Sequence, residues 1–141
     1  MDTVVFACIH NAGRSQMAAA FFNALADATR VQAISGGADP GTRVHPEVVQ
    51  AMQEAGIDLS EAKPQRLTDE LAQRARVLVT MGCGDQCPYV PGAERIDWPL
   101  DDPKGRTVDE VRAIRDDICR RVAALVGERG WARRTDAVTC R

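Results

Sequence analysis

The densest chemistry in the chain lies in eight consecutive residues, Cys8-Ile9-His10-Asn11-Ala12-Gly13-Arg14-Ser15. A cysteine thiolate is a strong nucleophile. An arginine offers a planar fork that matches two oxygens of a tetrahedral oxyanion. The apolar, β-branched segment Val4 to Ala7 precedes this run and reads as a buried strand, and a helical pattern begins at Ser15. The Cys-x5-Arg-Ser run must therefore turn from a strand into a helix N-terminus. Such a loop can curl with its backbone N–H groups inward, and the helix dipole adds positive potential there. Gly13 allows a tight turn and Asn11 tolerates a left-handed conformation. The same field favours the thiolate of Cys8, and Ser15 can donate a hydrogen bond to its sulfur. Cys8 is thus the candidate nucleophile and Ile9, His10, Asn11, Ala12, Gly13, Arg14 and Ser15 the candidate anion cradle. The bland alternative makes Cys8 a buried strand-end cysteine and Arg14 a surface charge.

Two further segments bear on that site. In Asp97-Trp98-Pro99-Leu100-Asp101-Asp102-Pro103, an acid before proline sits on stiff, non-helical backbone. Asp102, ahead of Asp101, is the candidate proton donor to a leaving oxygen; an ordinary surface turn is the alternative. Met81-Gly82-Cys83-Gly84-Asp85-Gln86-Cys87-Pro88 follows a third strand. In a parallel sheet such loops share the rim where ligands bind. Cys83 and Cys87 are read as redox partners of Cys8. Incidental cysteines remain an alternative, and a zinc site would need two more ligands, for which no second paired spacing exists. Cys119 is expected to pack beside an apolar stripe, and Cys140 to have no specific role. His45 before Pro46 marks the start of a helix, and Arg133-Arg134 reads as a solvated patch.

The elements that must position these residues follow from periodicity. Helices are expected over Ser15 to Ala26, Pro46 to Ala55, a short stretch opened by Thr68, and Val108 to Val126, where Gly127 ends the pattern. Strands are expected at Val4 to Ala7, at Val31 to Ile34 ending at Gly36-Gly37, at Val77 to Met81, and around Ile96 and Trp98. The order is that of an α/β fold with a mostly parallel sheet. Residues 1–127 are read as one domain and 128–141 as a tail.

The length of 141 residues, with 45% hydrophobic and 27% charged residues, is that of a globular domain and excludes a disordered or collagen-like chain. A net charge of −2 argues against a general nucleic-acid binder, so an anion partner must be met locally. No run approaches the ~20 apolar residues of a membrane span, and the start lacks the basic residues and apolar core of a signal peptide. A cytoplasmic location is expected, where five cysteines are more often free, catalytic or metal-bound than structural.

Cys8 to Ser15 with Gln16-Met17-Ala18, Ala55-Gly56-Ile57-Asp58-Leu59-Ser60, Val79 to Cys83, Cys87-Pro88 and Asp97-Trp98…Asp102-Pro103 resemble the low-molecular-weight protein tyrosine phosphatase superfamily. The closer likeness is to its arsenate reductase branch, over roughly residues 3–127. The resemblance implies a flavodoxin-like three-layer sandwich, with a four-stranded parallel sheet and helices on both faces. It implies that Cys8 attacks arsenate, with Arg14 holding the anion and Asp102 donating a proton. It further implies a Cys8/Cys83/Cys87 disulfide relay regenerated by thioredoxin, with a low-molecular-weight thiol such as mycothiol as the close alternative. The three-residue gap between Cys83 and Cys87 is shorter than expected of the thioredoxin-coupled branch. Where some relatives bind potassium through a glutamate, this chain has Ala19. No bound cofactor or metal is expected, and a monomer is. Two rivals stand beside this reading: a phosphatase hydrolysing phosphate monoesters, and a non-catalytic oxyanion or redox sensor. The phosphatase reading is weakened by the scarcity of aromatics, with Lys104 after Pro103 and a single tyrosine, Tyr89.

Overall fold

The computed structural model describes residues 1–82, 89–133 and 140. The chain runs β1 (Asp2–Cys8), α1 (Arg14–Leu25), β2 (Val31–Gly37), α2 (Pro46–Glu54), α3 (Asp69–Gln73), β3 (Val77–Thr80), β4 (Glu94–Asp97) and α4 (Val108–Glu128). The four strands form one parallel sheet in the order β2-β1-β3-β4. The two inner strands β1 and β3 are almost wholly buried because helices or loops cover both faces, the edge strand β2 is largely so, and the other edge, β4, is exposed. The fold is the flavodoxin-like sandwich that the resemblance implies.

Alternation along the strands divides the core. Val4, Phe6, Val77 and Val79 face the larger layer, which α1, α2 and α4 fill with Met17, Phe21, Phe22, Met52, Ile118 and Val122. Phe6 meets Phe22 edge-on and Trp98 at a tilt, with centroid distances of 5.9 and 5.8 Å. Val5, Ala7 and Leu78 face the thinner layer, met by Leu67 and Ala75, which flank α3 in sequence.

Several local signals act as chemistry dictates. Thr107 and Glu110 form a reciprocal capping box that starts α4, and Thr68 caps α3 by accepting from Leu71 N. Two expectations change. β2 runs on through Gly36 and Gly37, because Gly37 pairs with Cys8 in register. α4 does not stop at Gly127 but runs to Glu128, and the left-handed turn falls at Gly130 (φ 68°). The stripe of α4 includes Arg115, which is buried; its guanidinium donates to Ala51 O at 2.8 Å and pairs with Glu54 and Asp116. Nothing in the local sequence marks Arg115 as buried.

The residues read as tail are in part held down. Trp131 is buried against Phe22, and Arg133 donates to Leu25 O, Ala26 O and Asn23 O. Cys119 and Cys140, expected to be a packing residue and a residue without a role, are joined by a disulfide. Their Cα atoms lie 5.6 Å apart, inside the range a disulfide spans, a proximity that 21 residues of separation conceal.

Candidate active site

The sheet order reverses between β1 and β3, since the chain goes outward from β1 to β2 and then crosses back to β3. Ligands bind at such a switch point, outside the carboxyl ends of the strands. Cys8 ends β1, and Gly82 lies two residues beyond the end of β3.

The loop after Cys8 is built by tying its carbonyls outward. Cys8 O accepts from Ala38 N (3.3 Å), Ile9 O from Asp39 N (2.8 Å), and His10 O from Gly41 N (2.9 Å). Asn11 O accepts from Gln16 Nε2 (3.2 Å), Ala12 O from His45 N (3.0 Å), and Gly13 O from Met17 N (2.9 Å). In a trans peptide the following N–H points opposite to the carbonyl. Six consecutive N–H groups are thereby turned to the loop's inner side, at the N-terminus of α1. Such an arrangement can hold a tetrahedral anion, as the candidate cradle requires.

Cys8 Sγ lies within it, 2% exposed, 2.8 Å from Ser15 Oγ and accepting from Asn11 N at 3.3 Å. Asn11 adopts the expected left-handed conformation (φ 51°). Gly13 carries a constraint beyond the expected turn. A Cβ there would stand 2.5 Å from Pro103 Cγ. Gly13 is needed for space, so that the Asp102-Pro103 loop can close on the cradle.

Arg14 is buried rather than a surface charge. Its guanidinium donates to Leu100 O at 3.1 Å and stands 3.7 Å from Asp102 Oδ2. Asp102 is held by Lys104 N donating to its Oδ1 and is 44% exposed at its side chain. Asp101 is exposed and makes no such approach to Arg14. Gly82 (φ 92°) lies against the Nη1 end of Arg14, where a Cβ would stand 2.5 Å from Nη1 and 3.9 Å from Leu100 O. Cys83 and Cys87 lie outside the described residues. Ile9 packs on the thinner layer, and His10 turns outward, its Nδ1 2.9 Å from Asp39 O. Among the described residues no group of three metal-ligating side chains comes together.

Sequence reasoning missed His45, Gln16, Gly37 and Leu100. His45 caps the cradle from α2 and lines an open cleft of about 400 Å³ with His10, Ala12, Arg43 and Lys104. Burial pushes its imidazole below the usual range, opposed by the carboxylates of Asp102 and Glu47. The His45-Pro46 pair was visible, but nothing local tells that this helix start abuts Ala12. Gln16 lay in plain view beside Ser15, and its partners Asn11 and Lys63 did not.

A profile of the low molecular weight phosphotyrosine protein phosphatase family matches residues 3–134. The chain belongs to that family. Its similarity to individual proteins is narrower. An arsenate reductase of Halalkalibacterium halodurans is 38% identical over 130 residues, covering 84% of this chain and 91% of that one. A glutaredoxin arsenate reductase of Synechocystis is 33% identical over 131 residues, covering 91% and 98%. The structure of a thioredoxin-dependent arsenate reductase of Corynebacterium glutamicum superposes with a TM-score of 0.78 at 35% identity. That alignment covers 91% of this chain but only 61% of the Corynebacterium chain.

Proposed function

We propose that this family member is an arsenate reductase. The observation that carries the reading is the position of Gly82 against the Arg14 guanidinium. The residue immediately before Cys83 abuts the group that holds the anion. A phosphatase needs only Cys8, Arg14 and Asp102; a reductase also needs a second sulfur within reach. The relatives just described, all named as arsenate reductases, support the same choice.

Arsenate enters the cradle and is held by the inward N–H groups and Arg14. The Cys8 thiolate attacks arsenic, and one arsenate oxygen leaves as water, protonated with help from Asp102. A second thiolate, assigned to Cys83, then attacks Cys8 Sγ. The arsenic–sulfur bond breaks with both electrons going to arsenic, which departs as arsenite, and a Cys8–Cys83 disulfide remains. Cys87 attacks Cys83 in turn and releases Cys8. The resulting Cys83–Cys87 disulfide is reduced by an external dithiol, assigned to thioredoxin after the Corynebacterium protein. The name of the Synechocystis relative makes glutaredoxin a partner to test beside it, and mycothiol is the third.

The test is arsenite formation by the purified protein with thioredoxin, glutaredoxin and mycothiol systems in parallel, and with p-nitrophenyl phosphate as the phosphatase control. Arsenite formation supported by thioredoxin and abolished in Cys8→Ser is expected. Efficient phosphate ester hydrolysis without arsenite formation would overturn the assignment.

A further inference from the structure

The polarity of the hydrogen bonds around Cys8 is set by groups outside the cradle. Asn11 Oδ1 accepts from the backbone N–H of Gln65 at 2.9 Å, a donor whose direction is unambiguous. It also accepts from Gln16 Nε2 at 3.0 Å. With its oxygen so engaged, the Asn11 amide must present Nδ2 to Ser15 Oγ, 2.7 Å away. Ser15 Oγ thereby becomes an acceptor from Asn11, and its own proton is left for Cys8 Sγ at 2.8 Å.

The orientation of Gln16 is equally determined. Its amide nitrogen faces three oxygens, Asn11 O at 3.2 Å, Asn11 Oδ1 at 3.0 Å and Lys63 O at 3.1 Å. A carbonyl oxygen in that place would meet only acceptors. The residue is buried, so water is a poor substitute for these bonds.

We propose that Gln16 is a positioning residue that sets the Asn11 amide, so that one directed line of donors, Asn11 to Ser15 to Cys8, ends on the sulfur. Gln16 touches neither anion nor sulfur and acts through Asn11. It also clamps the cradle to the 63–65 segment, which ties the site to a part of the chain some fifty residues away. The inference rests on Cys8 being the nucleophile of the proposed reaction.

The test is the pH profile of Cys8 alkylation by iodoacetamide, read on the Cys8 peptide by mass spectrometry, in wild type, Gln16→Met and Gln16→Glu. Gln16→Met keeps the volume and removes the donor. Its profile is expected to move to higher pH by about one unit, a roughly tenfold loss of thiolate on the acid limb. Gln16→Glu places a carboxylate against three oxygens and is expected to lose more near pH 8. Its rate relative to wild type should recover toward pH 5, because the protonated carboxyl again donates to Asn11. A purely packing role predicts a lower melting temperature with profiles that coincide with wild type, and that result would overturn the proposal. Should Gln16→Met fail to fold, the pH-dependent recovery of Gln16→Glu decides alone, and its absence counts against the proposal. Alkylation needs no arsenate, so a failure of the arsenate assay in wild type would strike the functional reading and leave this comparison readable.

Discussion

Gly37→Ala is the sharpest probe of the cradle, because it adds one methyl group where only backbone stands. Gly37 is fixed in the sheet: it pairs with Cys8, its N–H donates to Gln65 O and its carbonyl accepts from Leu67 N, both at 2.9 Å. Its φ is not in the left-handed region, so the substitution tests space and not backbone strain. The added Cβ would stand 2.6 Å from Ile9 O, 2.9 Å from Asn11 N and 3.0 Å from His10 C. Ordinary contact begins at 3.4 Å, so the loop must retreat by roughly 0.8 Å. None of these atoms can swing aside as a side-chain tip would. Retreat of Asn11 N weakens its bond to Cys8 Sγ and pulls the inward N–H groups off the anion. Overpacking of this kind costs about 1–3 kcal/mol, which for a chain of this length lowers the melting temperature by roughly 3–10 °C. A misplacement near 1 Å costs on the order of 100-fold in activity. Thermal melts and kcat/KM for arsenate check both magnitudes. Gly127→Ala is the control: nothing lies within 4 Å of its Cβ position inside α4, and alanine there should stabilise by up to about 1 kcal/mol with activity unchanged. A Gly37→Ala enzyme within twofold of wild type in kcat/KM would refute the account of the loop.

The Glu54 carboxyl is held at about 2 by its hydrogen bonds with Arg112, helped by Arg115. A carboxyl lowered in the folded state adds stability that is complete above its unfolded value of about 4.5 and is lost as pH falls toward 2. Glu54→Gln should therefore melt below wild type at pH 6, with the gap narrowing below about pH 4.5 and closing only as pH falls through 2; a gap independent of pH would remove the ion pair from the account. Cys140→Ser opens the disulfide that spans 21 residues, which the loop-entropy relation values at about 3 kcal/mol. Its melting temperature should fall by roughly 10 °C and match that of reduced wild type, with Cys8 alkylation unchanged; differential alkylation that finds both thiols free in oxidised protein would count against the pairing.

What the residues determined by themselves is local. A β-branched apolar run, six residues of loop and a helical pattern suffice to put Cys8 at a strand end and Arg14 at a helix start. Asn11 is left-handed because its side chain permits it. Thr107 and Glu110 cap α4 because their partners lie within one turn. The α/β order was legible because periodicity of 2 or 3.6 is written along the chain. What tertiary structure alone decided are the meetings of residues remote in sequence. Gly13 was legible as a turn residue, but its second constraint is Pro103, ninety positions away. Arg115 is buried because α2 supplies Ala51 O and Glu54 as its partners. Gln16 carries no local sign that its amide spans Asn11 and Lys63, and Cys119 none that Cys140 returns to it. Backbone propensity and periodicity act over a few residues. The outward pull on six carbonyls, the space left for a missing Cβ and the pairing of two sulfurs depend on which elements the parallel crossovers bring side by side, and no stretch of sequence contains that by itself.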